Sequence, residues 1–128
     1  MKKVLTATVA AFLFASVVVL ASDTKGKTET APKTAAKLVG EVICISCYVD
    51  HESKGAEHAA CATSCAKRGV PMGILEDKTG NVFLVVKGHT GANADLQPFA
   101  GKKVALAGRW FERGGAKIFN LDTVTETK

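Results

Sequence analysis

The sequence predicts a small, mainly β domain with five strands and two helical insertions. Short runs rich in Val, Ile and Leu recur from residue 38 onward, and turns containing glycine separate those in the second half of the chain. An alanine-rich helical stretch follows the first run. The predicted order of strand, helix, two strands, short helix and two strands is that of an OB-like barrel. A small SH3-like barrel or sandwich is the alternative.

Each strand has its own pattern. Residues 37–49 are rich in β-branched side chains and place Leu38, Gly40, Val42 and Cys44 on one face, opposite Val39, Glu41, Ile43 and Ile45, which predicts a long first strand. Residues 73–76 and 81–87 flank a glycine turn and predict a hairpin. Residues 102–111 and 116–124 predict the fourth and fifth strands. The short helix between strands three and four is predicted at residues 94–100, with Leu96 and Phe99 as its apolar contacts and Pro98 limiting its length.

The first 21 residues have the pattern of an export signal. Lys2 and Lys3 precede an apolar run over residues 4–20, and Val19-Leu20-Ala21 fits the small-x-small rule for cleavage after Ala21. This predicts a periplasmic or secreted protein. The alternative is an uncleaved helix that anchors the protein in the membrane, which would be its only membrane contact.

Residues 22–37 are predicted to be a flexible linker, because they are rich in Thr, Lys and Ala and lack large apolar side chains. The predicted OB-like domain covers residues 38–128, with a Cys/His segment at residues 44–69. Loss of Lys2 and Lys3 with the signal leaves 15 basic and 12 acidic residues, a net charge of +3. This mild surplus does not indicate a nucleic-acid partner.

Residues 57–68 are predicted to form a helix. Glu57 lies in the first turn, Lys67 and Arg68 lie in the last, and Gly69 and Pro71 are typical of a helix end. At about 100° per residue, the side chains of His58, Cys61 and Cys65 share one helix face. The sequence therefore predicts an imidazole and two thiols on one stripe.

Cys44 and Cys47 form a C-x-x-C pair, which can converge on one ion if the chain bends near residues 45–46. With the helix stripe, the candidate metal ligands are Cys44, Cys47, His58, Cys61 and Cys65, and His51 is a weaker sixth. Thiolates with an imidazole favour Zn(II) or Cu(I). The sequence thus predicts a soft-metal site in an exported carrier, sensor or accessory protein, which an envelope protein partner would suit.

Two other interpretations of the cysteines stay open. Export favours disulfides, and a bond between the first strand and the helix would staple a small domain. A redox-active C-x-x-C pair is less favoured, because activation usually places the pair at a helix N-terminus and none is predicted after Cys47. Covalent c-type haem is excluded by Tyr48, which stands where the attachment motif needs histidine.

No catalytic residue is assigned. Glu76 and Asp77 precede a turn and are interpreted as its solvated acids, and His89 as a surface histidine. Trp110 and Phe111 lie beside Arg109, an arrangement that can stack nucleic-acid bases, but core packing is the simpler interpretation. No glycine-rich phosphate loop is present in the sequence.

Three stretches of the chain resemble a known group. They are "GEVICISCY", "HAACATSCAKRGVPMGIL" and "FAGKKVALAG". Together they resemble small exported bacterial OB-fold-like proteins of unassigned role with a C-x-x-C-Y and an H-x-x-C-x-x-x-C-A-x-x-G-x-P segment. The resemblance covers residues 40–124 and implies an envelope location, an OB-like barrel and a site at the same four cysteines and His58. It brings no activity with it.

Overall fold

The computed structural model describes residues 36–128. The predicted signal peptide and all but the last two residues of the predicted linker lie outside the described residues. The described elements, in chain order, are β1 (Ala36–Cys44), α1 (Ile45–His51), a 3-10 turn (Ala56–His58), α2 (Ala59–Lys67), β2 (Met72–Glu76), β3 (Val82–Lys87), β4 (Thr90–Gly91), α3 (Asn93–Leu96), a second 3-10 turn (Gln97–Phe99), β5 (Lys103–Arg113) and β6 (Ala116–Glu126).

The six strands form one sheet in the order β2-β1-β5-β6-β3-β4, and an additional β2–β3 pairing joins the two ends of the first five. Five strands therefore pair in a ring. All of these pairings are antiparallel except that of β3 with β6, which is parallel. The predicted hairpin is confirmed by the β2–β3 register, in which Ile74 faces Phe83.

The core lies where the inward side chains of the strands meet. Val42, Ile74, Val104, Leu106 and Phe119 are fully buried, one or two from each of four strands. Burial of an aliphatic or aromatic side chain contributes about 1.5–3 kcal/mol, so these positions dominate the stability of the sheet. The alternation that predicted the strands is thus the alternation between core and surface.

The first strand is shorter than predicted, because the chain leaves the sheet after Cys44. Met72 is the first residue of β2 and pairs with Cys44, so β1 has no partner on that side beyond this point. Unpaired backbone groups must find other partners. The amide of Ile45 donates to the carbonyl of Pro71 at 3.1 Å, and the chain continues as α1, which satisfies its own hydrogen bonds.

The structure contains both predicted helical insertions and one strand that was not predicted. The helix predicted at residues 57–68 is confirmed, although its first turn is the 3-10 turn Ala56–His58. The short helix between strands three and four is confirmed as α3 and the second 3-10 turn, with Leu96 fully buried. The prediction of five strands missed β4, a two-residue strand that pairs with the end of β3.

The C-terminal end of α2 is fixed by a glycine cap and by one asparagine. Gly69 has φ of +86°, and the amide of Val70 donates to the carbonyl of Cys65 at 3.1 Å in a Schellman arrangement. The Asn93 amide nitrogen donates to the carbonyls of Ala66 and Val70 at 3.2 and 2.8 Å, and its oxygen accepts from the amide of Met72 at 3.1 Å. One side chain therefore ties α2 to β2.

The loop before α2 is fixed against the sheet. The amide of Gly55 donates to the Glu41 carboxylate on β1. Gly101, with φ of +71°, lies so close to this loop that a Cβ at position 101 would be 2.5 Å from the Gly55 carbonyl oxygen. Only glycine fits there, for both steric and conformational reasons. Both ends of the helix that carries the predicted ligands are thus anchored.

Among residues 36–128, no helix is long and apolar enough to cross a lipid bilayer.

Replacing Asn93 by alanine is expected to lower the free energy of unfolding by about 1–3 kcal/mol, because it leaves partly buried backbone groups of α2 and β2 without their partner. Urea denaturation measures the change. The matched control is Asn81→Ala in the β2–β3 turn, which removes the same side chain without touching α2. Equal losses in the two variants would show that Asn93 does not tie these elements together.

Candidate metal centre

The five predicted ligands come from four consecutive elements and meet in one place. Cys44 ends β1, Cys47 lies in α1, His58 ends the 3-10 turn, and Cys61 and Cys65 lie in α2. They form two groups of three, and within each group the ligand atoms lie within 4.8 Å of one another. We refer to the five residues as the Cys/His cluster.

The first group, here the inner triad, consists of Cys44, Cys47 and Cys65. Cys44 is fully buried and Cys65 is only 6% exposed, and both belong to the hydrophobic core. The Sγ atoms of Cys47 and Cys65 are 3.9 Å apart. Since Ala62 and Ala66 are buried on the same side of α2, the inner triad lies where the helix packs on the sheet.

The second group, here the outer triad, consists of Cys47, His58 and Cys61. Cys61 is exposed, whereas His58 and Cys47 are half-buried. The Nε2 atom of His58 is buried and has no hydrogen-bond partner among residues 36–128. One ring nitrogen of His58 lies within 4.8 Å of the Cys47 and Cys61 sulfurs. A buried polar atom without a partner is costly, and an imidazole beside thiols offers a donor set that a soft metal ion can use.

His51, the weaker sixth candidate, lies outside both triads. Its imidazole is exposed and pairs with the carboxylate of Asp50 at 2.9 Å. His51 ends α1, and α1 turns this position toward solvent instead of toward the thiols. The structure therefore separates the two histidines of the segment into one beside the thiols and one at the surface.

Neighbouring thiols of the Cys/His cluster shift one another's pKa values. The hydrogen bond with Cys44, burial, and the neighbouring Cys65 raise the pKa of Cys47 to about 12. Burial acts to raise the pKa of Cys65 as well, but hydrogen bonds from Cys47 and Cys44 and the charge of Arg68 outweigh it, and the pKa is lowered. A proton is thus held at Cys47, the residue that both triads share, while Cys65 gains thiolate character.

Arg68 contacts the Cys/His cluster but was not among the predicted site residues. Its guanidinium donates to Cys65 Sγ at 3.2 Å and to Ser64 Oγ at 3.2 Å. The sequence placed Arg68 in the last turn of the helix and explained it by the helix dipole alone. Its position three residues after Cys65 was the available signal, because side chains three apart on a helix are neighbours.

No two of the four cysteines are at bonding distance, and all are free thiols. A disulfide needs an S–S separation of about 2.05 Å, well below the 3.9 Å between Cys47 and Cys65. The disulfide staple between the first strand and the helix, which was the alternative interpretation, is therefore not formed among these four cysteines. The sulfurs of Cys44 and Cys47 nevertheless lie close to the sulfur of Cys65 in the inner triad.

The expectation that no helix follows the C-x-x-C pair is wrong. Cys44 is the N-cap residue of α1, and Cys47 lies inside this helix. This is the placement from which redox-active pairs draw a lowered pKa. Here Cys44 is fully buried and the pKa of Cys47 is raised, so neither thiol is set up to attack a substrate disulfide.

Replacing Arg68 by alanine is expected to raise the pKa of Cys65, because the thiolate loses a positive charge and a donated hydrogen bond. The thiolate fraction of the reduced, metal-free protein, followed by ultraviolet absorbance against pH, then develops at higher pH than in the wild type. Lys67→Ala, which removes an adjacent exposed charge, is the control and leaves the curve in place. Coincident curves for the Arg68 variant and the wild type would contradict the assigned role.

Comparison of the chain with family models, with curated proteins and with solved structures finds no match in any of the three. The resemblance to small exported OB-fold-like proteins therefore stays a prediction, and the chemistry of the Cys/His cluster itself is the basis for proposing a function.

Proposed function

We propose that this protein binds a soft metal ion, zinc or copper, through the Cys/His cluster and acts as a metal carrier, sensor or accessory protein of the cell envelope. The proposal includes no catalytic step. The ligand is the metal ion, and the partner is an envelope protein that receives the metal or responds to its binding.

The observation that carries the proposal is the position of His58, which has a ring nitrogen within 4.8 Å of the Cys47 and Cys61 sulfurs and a buried Nε2 without a hydrogen-bond partner among the described residues. A disulfide staple would have no use for an imidazole at this place. A hydrogen-bonding role would give the nitrogen a partner, and none is found among the described residues. A metal ion satisfies both the imidazole and the thiols, which are among the preferred ligands of Zn(II) and Cu(I).

The protonation of the cluster suits reversible binding. A metal ligand must lose its proton, so a raised pKa at Cys47 makes binding compete with protons at that residue. Arg68 favours the thiolate of Cys65 and offsets part of the negative charge that the bound thiolates bring. Affinity is therefore expected to rise with pH, as more thiols are deprotonated.

The proposal for the fold is that the strands around the Cys/His cluster form an OB-like barrel. Its support is the ring of five paired strands, with β3 parallel to β6 and α3 between β3 and β5. The Cys/His cluster lies in the connection between β1 and β2, one of the connections that bind ligands in OB-folds. Export, the other part of the proposal, rests on the sequence of residues 1–21.

The metal content of the purified protein and the metal affinity of two histidine variants test the proposal. The protein is purified from its native compartment without reductant or chelator, and zinc and copper are measured per chain together with free thiols. We expect stoichiometric metal and four reactive thiols after the metal is removed. His58→Ala is expected to weaken metal binding at least about tenfold. Loss of a residue that hydrogen-bonds to a metal ligand typically weakens binding by this factor, and loss of the ligand itself costs no less.

The control is His51→Ala, which removes an exposed histidine of the same segment and is expected to keep wild-type affinity. Absence of bound metal together with no free thiols would replace the proposal with the disulfide-stapled binding module. One labile disulfide with a measurable reduction potential would replace it with a thiol–disulfide oxidoreductase. Equal metal affinity in both histidine variants would remove His58 from the site.

A further inference from the structure

We propose that the Cys/His cluster binds two Cu(I) ions, one in each triad, with the thiolate of Cys47 bridging them. This inference rests on the proposed function and specifies the metal, the number of ions and the ligands of each. It follows from how the five donors are grouped.

The grouping is three and three, with one member in common. Cys44 and Cys65 join Cys47 in the inner triad, and His58 and Cys61 join it in the outer triad. A thiolate sulfur has more than one lone pair and can bind two metal ions at once. Cys47 is the sole residue that both triads contain, so it is the natural bridge between two adjacent ions.

The number of donors at each centre favours Cu(I) over Zn(II). Zinc in a closed structural site takes four ligands, whereas each triad gathers three donors within 4.8 Å. Cu(I) is soft, prefers thiolates and is satisfied by three ligands in a plane. The distance of 3.9 Å between the Cys47 and Cys65 sulfurs does not distinguish the two ions. With ~2.3 Å metal–sulfur bonds, two sulfurs lie about 4 Å apart in a trigonal plane and about 3.8 Å apart in a tetrahedron.

The surroundings of the two triads give them different roles. The inner triad is all sulfur, and two of its members are buried in the core, which protects a cuprous ion from water and oxidants. The outer triad contains the exposed Cys61. An incoming thiolate of a partner can replace Cys61 on the outer ion first, and further donors of the partner then replace His58 and Cys47, so that the ion leaves as Cu(I) without electron transfer.

Binding also has a defined proton balance. The four thiols lose one proton each when they become thiolates, and His58 binds as a neutral imidazole. Two Cu(I) ions offset two of the four negative charges, and the Arg68 guanidinium beside Cys65 lies where it offsets part of the remainder. Each of the four thiols that is still protonated therefore releases its proton when the two ions bind.

Anaerobic titration of the reduced, metal-free protein with Cu(I) tests the inference. Cu(I) is supplied as its complex with a colorimetric chelator, so that the copper taken by the protein is counted. We expect two ions per chain, and X-ray absorption should show three-coordinate copper with a second copper nearby. Uptake of a single Cu(I) ion, or uptake of Zn(II) alone in a parallel titration, would overturn the inference but leave the proposed function intact, whereas uptake of neither metal would overturn both.

Variants separate the two triads. Cys61→Ser alters an exposed residue of the outer triad alone and is expected to reduce uptake from two ions to one. Cys44→Ser is expected to retain the outer ion only, and circular dichroism checks that this buried change leaves the fold intact. His51→Ala is the control and keeps two ions. Retention of two ions by the folded Cys61→Ser protein would overturn the assignment of the outer ion.

Discussion

The register between the last residue of β1 and the first residue of β2 is the constraint on which the rest of this structure depends. Cys44 faces Met72, and the amide of Ile45 donates to the carbonyl of Pro71. The chain therefore leaves the sheet and returns to it at the same point. Everything between has to fold back on itself, and this excursion contains Cys47, Cys61 and Cys65. Without that pairing, the cysteines of β1, α1 and α2 would not be held close to one another.

The Cys/His cluster is also part of the hydrophobic core. Cys44 and Cys65 are buried with Ala62 and Ala66, so the thiols fill space that would otherwise require aliphatic side chains. A free cysteine behaves as a small apolar residue, so its burial in the core costs little stability. It also means that α2 cannot shift on the sheet without moving the ligands, and the hydrogen bonds of Asn93 resist such a shift.

Much of the architecture could be predicted from local signals, because glycine, proline and apolar alternation act over a few residues. Gly69 and Pro71 end α2 as expected, and the cluster residues were identified by spacing alone. Helix α1 could not be predicted, since its alternation also fits a strand and only the starting point of β2 decides between them. Strand β4 is too short for a pattern and exists through its pairing with β3. The division of the ligands into two triads depends on packing that no spacing encodes.

The contrast between this local cluster and the ring of strands has a consequence for how the molecule assembles. All five donors lie within one short stretch of chain, whereas the ring is closed by pairing β1 with β5 and β3 with β6, which are distant in sequence. The entropy lost on closing a loop grows with its length, and non-local pairing is the slow part of folding. Because the β1–β2 pairing that brings the cluster residues together is local, these side chains can come together before the ring of strands closes.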